Sequence, residues 1–450
     1  MRCKNKKYNN SGLTIVETLI GIGLLLVVFL GLFGLIQIGL RMLNQSKARI
    51  TATALLNQRI ELARNLPYNQ IGTIGGIPKG AIPETENIVR NNINYNVKTT
   101  VFYIDDPFDG LFPVDSLAWD YKRIKVKVSW LGIFHGEVSM LTDIAPKGIE
   151  TTGGGGIISI LVFNANGQSV SQADIWVENN SVSPAIDAHY QTDNQGRIFI
   201  SGAPACNDCY KITATKPNYS LERTYAAGEQ IRGIILVIPE KPLVSVIEGQ
   251  LSEISFVIDR VCIKTVQTIK YFEEDLGEVI PIPSLAFTMQ GAKIIGYDGN
   301  NQLIYKYQEN LSTNINGELI ISNLEWDTYK ITVNGLITGY NLANSSPAQP
   351  VGFNPGINQT TVLKLAVHQA HTLLVTVKNS SEQPLMGASV HLYRTGYDKT
   401  KIASDSGQAF FSPLNQVTYN LEVELAGYQI WTGGVSVSGQ TEQLIILTPP

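Results

Sequence analysis

Between Glu17 and Arg41 the chain passes through residues 18–40, TLIGIGLLLVVFLGLFGLIQIGL, without one charged side chain. As a helix this run spans about 35 Å at roughly 1.5 Å per residue, enough to cross a bilayer. Arg2, Lys4, Lys6 and Lys7 precede it, so the positive-inside rule keeps the start cytoplasmic and exports the rest of the chain. A secretory signal peptide has a shorter apolar part followed by a small-residue cleavage site, and nothing of that kind follows Leu40. The run continues into a stretch where Leu43, Ile50, Ala54, Leu62 and Leu66 recur at helical spacing, with Arg41, Lys47, Arg49, Arg59, Glu61 and Arg64 at the other positions. Pro67 removes a backbone donor and ends the pattern. The spacing predicts one helix over 13–66, about 80 Å long, apolar through its membrane part at 13–40 and two-faced beyond it.

Glu17 is the anomaly in this picture. A carboxylate among membrane-embedded residues costs on the order of 2.5–3.5 kcal/mol, so it requires a partner and a role. Its surroundings, Gly12-Leu13-Thr14-Ile15-Val16-Glu17 behind a short basic leader, resemble the processing motif of type IV prepilins and type II secretion pseudopilins. The resemblance implies cleavage between Gly12 and Leu13 by a prepilin peptidase, N-methylation of Leu13, and retention of the apolar run in the product. It makes 1–12 a leader peptide and Glu17 the acidic residue used in assembly. Leucine stands at the first mature position, where that family most often has phenylalanine. Cleavage creates an α-amino group with an ordinary pKa near 8, costly to bury in lipid, which the Glu17 carboxylate can neutralise on the same or a neighbouring helix. Gly21, Gly23, Gly31, Gly34 and Gly39 permit close helix approach.

Composition fits soluble β domains carried on such an anchor. Charged residues make up 16% of the chain and the formal net charge is −4. Without the four leader cations, 30 basic residues face 38 acidic ones, which gives no electrostatic case for nucleic-acid binding through phosphates. After a breaker-rich connection over 68–80, runs at Tyr95 to Ile104, Arg123 to Trp130 and Glu137 to Leu141 alternate as strands. Helix followed by small antiparallel sheet is the pilin-like arrangement, closed here at 67–152. Asp105-Asp106-Pro107-Phe108-Asp109-Gly110 lacks the liganding order of a calcium loop and reads as a turn. Gly153 to Gly156 read as a flexible joint.

Beyond that joint a pattern recurs imperfectly three times. Strands around a turn, Ile158-Val162 with Asn164 to Gly167 and Ala173-Val177, return as Leu373-Val377 with Asn379 to Gln383 and Ala388-Leu392. A glycine turn returns as Asp193-Asn194-Gln195-Gly196, Asn314-Ile315-Asn316-Gly317 and Ser404-Asp405-Ser406-Gly407. Tyr210, Tyr329 and Tyr419 follow the turns, and then Tyr219, Tyr340 and Tyr428. The pattern resembles carboxypeptidase regulatory-like and CnaB-like β-sandwiches, in units 157–266, 267–366 (the most divergent) and 371–450. The intramolecular isopeptide of some CnaB modules needs a buried Lys, an Asn and an acid together, and the sequence identifies no such set. The fold class expected is therefore α+β: a long membrane-spanning helix with a pilin-like antiparallel sheet, then tandem all-β immunoglobulin-like sandwiches.

Of four cysteines, Cys3 lies in the leader. Cys206 and Cys209 form a C-x-x-C without the helix of a thioredoxin-like site, and so read as a small structural loop at a hairpin, with or without a disulfide. His368 and His371 are spaced H-x-x-H where a strand meets a linker, and an extended chain points them to opposite faces. No third ligand accompanies them, so no metal or other cofactor is expected. The sequence carries no G-x-S-x-G, P-loop or H-E-x-x-H motif, and catalysis is not expected. Two functions compete. One is a minor pilin-like subunit whose partners are prepilin peptidase, other pilins or pseudopilins, the assembly platform and membrane lipid, with outer modules that bind a surface. The other is a single-pass anchored surface protein that never polymerises. Size favours a minor role, since sandwiches this large crowd a shaft in which every subunit carries them.

Overall fold

The computed structural model describes residues 15–104, 120–131, 135–146, 155–273 and 278–450. The Gly12–Leu13 processing site, the Asp105 to Gly110 turn and Gly153–Gly154 lie outside them. The chain divides into two compact units, one running to Gly155 and taking in Ile200–Pro204, the other comprising Gly156–Phe199 and Ala205–Pro450.

The first unit is built on helix α1, Ile15–Arg64. A four-stranded antiparallel sheet lies on its C-terminal part, in the order β1 (Thr85–Arg90), β2 (Ile93–Ile104), β3 (Tyr121–Trp130), β4 (Gly136–Ile144). Strand β1 was not anticipated. It joins β2 through Asn91-Asn92, both at positive φ, the conformation a two-residue hairpin demands and asparagine tolerates. Ala48, Ala52, Leu55, Leu56, Ile60 and Ala63 of α1 pack on Tyr95, Val97, Val101, Ile124, Val126, Val128 and Trp130 of the sheet.

That stripe corrects the expected face of the helix. Leu43, Ile50 and Leu62 are 59%, 67% and 46% exposed, and Arg59, expected on the polar side, is buried and ion-paired with Glu86. Alanine is a weak hydrophobe in sequence but a short one in space. Ala48, Ala52 and Ala63 let the backbone settle onto the aromatic and β-branched sheet, which larger side chains at those positions would hold away.

The second unit contains three sandwiches built alike. In the last, Thr372–Asn379 lies between Gln408–Phe411 (antiparallel) and Gln440–Leu447 (parallel). The facing sheet has the order Tyr397–Ile402, Ser389–Arg394, Thr418–Glu424, Trp431–Ser436. Val375, Val377, Val390, Leu392, Phe411, Tyr419, Leu421 and Ile445 fill the space between. The middle sandwich repeats the scheme, with Cys262–Lys270 beside Gln359–Val367, and the first does so with β5 (Gly155–Phe163) beside Leu251–Val257.

Two expectations change here. Cys262–Lys270 opens the middle sandwich, so a boundary after 266 falls inside a strand. Gly155 and Gly156, expected in a flexible joint, are buried in β5. A Cβ on Gly156 would stand 2.3 Å from the Ile247 carbonyl oxygen, so the glycine serves close backbone approach and not flexibility.

Where the repeat fades, the first and middle sandwiches share a small sheet. Ile238–Pro239 pairs with Ile294–Tyr297, which pairs with Leu303–Tyr305, over a core of Tyr225, Leu236, Ile295 and Ile304. Beside it Lys306 bridges Glu222 at 2.6 Å and Glu325 at 2.7 Å. Between the middle and last sandwiches, Asn344 Nδ2 donates to Ser404 Oγ at 2.7 Å and the Ser345 amide to Gln408 Oε1 at 2.7 Å.

Candidate functional site

Among the described residues, the part of α1 before Ala48 is left uncovered by the rest of the chain. From Ile15 to Lys47 its described side chains are exposed, and Gly34 is intermediate. The part from Thr18 is long and apolar enough to cross a membrane. Glu17 lies in the first turns of α1, its side chain outside those described. A Cβ added at Gly21, Gly23, Gly31, Gly34 or Gly39 would meet nothing within 4 Å. Packing within this molecule therefore does not require glycine at any of them.

Grip on the helix begins where the alanine stripe begins. The Tyr95 hydroxyl donates to the Ala48 carbonyl at 3.2 Å and Arg64 Nη2 to Thr142 Oγ1 at 3.0 Å. Past the helix end, Lys122 of β3 is 2% exposed. Its ammonium donates to the carbonyls of Tyr68 at 2.9 Å and Ile71 at 2.6 Å and lies 4.6 Å from the Tyr68 ring centroid. Burial lowers its pKa to about 8. Among the described residues two carbonyls and the ring face, and no carboxylate, hold the charge, fixing the chain just after the helix to the sheet. This lysine was not expected among the functional residues. It shares the inward register of Ile124, Val126 and Val128, and that register was the available signal.

In the sandwiches the recurring turns share one geometry. The Asp193 carboxylate accepts from the Gln195 and Arg197 amides at 2.9 and 2.8 Å, and the Asn314 carbonyl from those of Asn316 and Glu318 at 2.8 and 3.0 Å. Gly196, Gly317 and Gly407 follow at φ +71°, +69° and +70°. Their carbonyls receive the amides of Val162, Thr268 and Val377 at 2.7, 2.8 and 2.7 Å, stitching each turn to the first strand of its sandwich.

Tyr210, Tyr329 and Tyr419 are buried to within 1%. The Tyr329 hydroxyl donates to the Glu325 carbonyl at 2.8 Å, and that of Tyr419 accepts from the Asn415 amide at 3.0 Å. Burial pushes the Tyr210 phenol up to about 12. Replacing Tyr419 by Phe leaves the Asn415 amide without its acceptor. The expected loss is about 1 kcal/mol, read as a lower denaturation midpoint of the last sandwich. A variant as stable as the parent would show the hydroxyl to be idle.

Cys206 and Cys209 are joined in a disulfide. They lie within the strand Cys206–Thr215, not in a hairpin turn, and Asp208 between them takes positive φ beside an irregular pairing with Val244 and Val246. His368 and His371 go separate ways, the first to Asn341 Oδ1 at 3.0 Å and the second accepting from the Gly439 amide at 3.2 Å.

The middle sandwich holds a buried lysine after all. Lys264 is fully buried, donates to Thr361 Oγ1 at 2.8 Å and lies 4.1 Å from the Phe353 ring centroid. The group it meets is an alcohol, which offers an amine no acyl carbon.

No family model matches this sequence, and no curated protein does. Among solved structures, the TIE protein of Bacillus anthracis is similar at 12% identity and a TM-score of 0.19, over 81% of this chain and 73% of that one. A streptococcal ancillary pilin is similar at 11% and 0.18, over 66% and 99%. BcpA, the major pilin subunit of Bacillus cereus, is similar at 11% and 0.17, over 66% and 100%. Likeness at this level transfers no property to the present chain.

Proposed function

We propose that the protein is a minor type IV pilin-like structural subunit of the cytoplasmic membrane. Prepilin peptidase cuts it after Gly12 and methylates Leu13; α1 holds it in the bilayer and then packs among the helices of other pilins or pseudopilins on an assembly platform. The sandwiches stay outside the cytoplasm and present a binding surface, with no catalytic role. One observation carries this reading: a 50-residue helix that its own sheet holds only over the stripe from Ala48 to Ala63. Before that stripe the described apolar side chains are exposed, and away from it Ile50 and Leu62 remain exposed. A plain anchor needs the first of these features; the apolar strip beyond the bilayer is extra, and suits contact with further helices.

Mass spectrometry of the mature N-terminus tests the processing and should find methyl-Leu13. Glu17→Ala then tests assembly. Losing the partner of the new α-amino group should leave cleavage intact while incorporation into sheared filaments drops by about tenfold or more, a cost of at least about 1.4 kcal/mol. Wild-type protein that stays wholly with the membrane fraction on shearing would leave only the non-polymerising anchor.

A further inference from the structure

We infer that the sandwiches are force-transmitting links, each placing its first and last strands so that tension along the chain shears a parallel ribbon instead of peeling it. This goes beyond the assembly reading and does not depend on it, since an anchored monomer holding a target at its far end feels the same pull.

The register carries the inference. In the first sandwich, the ribbon runs unbroken from Ile157 opposite Leu251 to Phe163 opposite Val257. In the middle it runs from Lys264 opposite Gln359 to Lys270 opposite Leu365, and in the last from Thr372 opposite Gln440 to Asn379 opposite Leu447. Because the pairing is parallel, the chain enters each sandwich at one end of the ribbon and leaves at the other. Pulling on both ends slides one strand along its neighbour. The evenly spaced hydrogen bonds of a parallel ladder are then stretched together, whereas peeling breaks them one after another.

The connections pass the tension on directly. Only residues 258–261 separate the last strand of the first sandwich from the first strand of the second, and the Ile258 and Val261 amides are bound to the Phe163 and Asn218 carbonyls at 3.1 and 3.0 Å. Residues 368–371 separate the last strand of the second sandwich from the first strand of the third, and the His368 amide is bound to the Gly339 carbonyl at 2.8 Å. Within the middle ribbon, Lys264 and Thr361 add a buried side-chain bond from one strand to the other at 2.8 Å. Slack connections would let the modules swivel until force met them from any side; these short, bonded ones preserve the direction.

Single-molecule force spectroscopy on the full-length chain in detergent micelles tests this. Handles are attached through cysteines in a Cys3→Ser background; Cys262 is fully buried and the other two are bonded. One chain carries Ala370→Cys with Pro450→Cys, which pulls the last ribbon end to end. The other carries Ala370→Cys with Ser438→Cys, whose handles sit at adjacent ends of the same two strands and peel them. All three positions are exposed, and hydrogen exchange across Thr372–Asn379 verifies the fold of both chains. Forced unfolding reads the barrier to unfolding, so the end-to-end chain should rupture at a severalfold higher force. Each event should release roughly 260–290 Å of extended chain less its folded span, and the peeled one roughly 220–250 Å. Equal forces in the two directions, or no discrete rupture of the expected length end to end, overturn the inference.

Discussion

Gly407→Ala is expected to destabilise the last sandwich by about 3 kcal/mol, enough to open it while its neighbours stay folded. Two costs combine. At φ +70° an L side chain is disfavoured by about 1–2 kcal/mol in the left-handed region. The new methyl also lands 2.4 Å from the Val377 carbonyl oxygen and 3.0 Å from the Leu385 nitrogen. Both are backbone atoms, one in the first strand and one in the connection that follows it, so relief means moving the first strand, at a cost of about 1–3 kcal/mol. Gly427→Ala is the control, because that glycine has φ +86° with nothing within 4 Å of its Cβ position and incurs the first cost alone. Hydrogen exchange measured separately over Thr372–Asn379 and Cys262–Lys270 checks the result. Equal effects of the two alanines would show that the close approach carries no weight. Gly196, whose Cβ would meet the Val162 carbonyl oxygen at 2.4 Å, should behave as Gly407 does.

Lys264→Met should have the opposite sign, stabilising the middle sandwich by about 2 kcal/mol at pH 6. Burial lowers the lysine from its ordinary 10.5 to about 7. Below pH 7 it is charged whether the chain is folded or not, and the folded state bears the full cost of a buried cation with no carboxylate beside it. Between about pH 7 and 10.5 the unfolded chain binds the extra proton, so stability rises with pH by up to about 1.4 kcal/mol per pH unit. Above that range the amine is neutral in both states and the penalty is gone. Methionine removes the penalty at every pH but loses the bond to Thr361 and the ring contact with Phe353, trimming the gain by about 1–2 kcal/mol. The advantage of the variant should therefore shrink as pH climbs from 7 to 10. A constant advantage, or none at pH 6, would mean that the buried amine is not what titrates.

Much of this architecture was legible because it rests on local chemistry. An uncharged apolar run without a breaker favours one long helix, as α1 is, and Asp193-x-x-Gly196 or Asn314-x-x-Gly317 dictates its turn through bonds within the same few residues. What escaped depends on the partner surface. The helix face turned out to be set by how near an alanine lets two backbones come, which no hydrophobicity ranking contains. Lys122 and Lys264 occupy inward positions of alternating strands, where a charge argued against burial until carbonyls, a ring and a hydroxyl were found around it. The middle boundary was misplaced for the same reason, since Lys264 masks the alternation of Cys262, Val266 and Thr268 that begins the strand. Strand β1 hangs on Asn91-Asn92, whose hairpin conformation is a weaker signal in sequence than Asn-Gly.

The cysteines of the body have a bearing on how copies could be held together. One pair is closed on itself, and the remaining thiol, Cys262, is wholly enclosed with its sulfur 3.2 Å from the Asn354 carbonyl oxygen. Thiol–disulfide exchange needs a thiolate that can reach a sulfur, and here reaching it requires unfolding the middle sandwich. In an oxidising milieu the folded body therefore neither scrambles its ring nor acquires bonds to its neighbours. Copies brought together along their helices should come apart in detergent without a reducing agent.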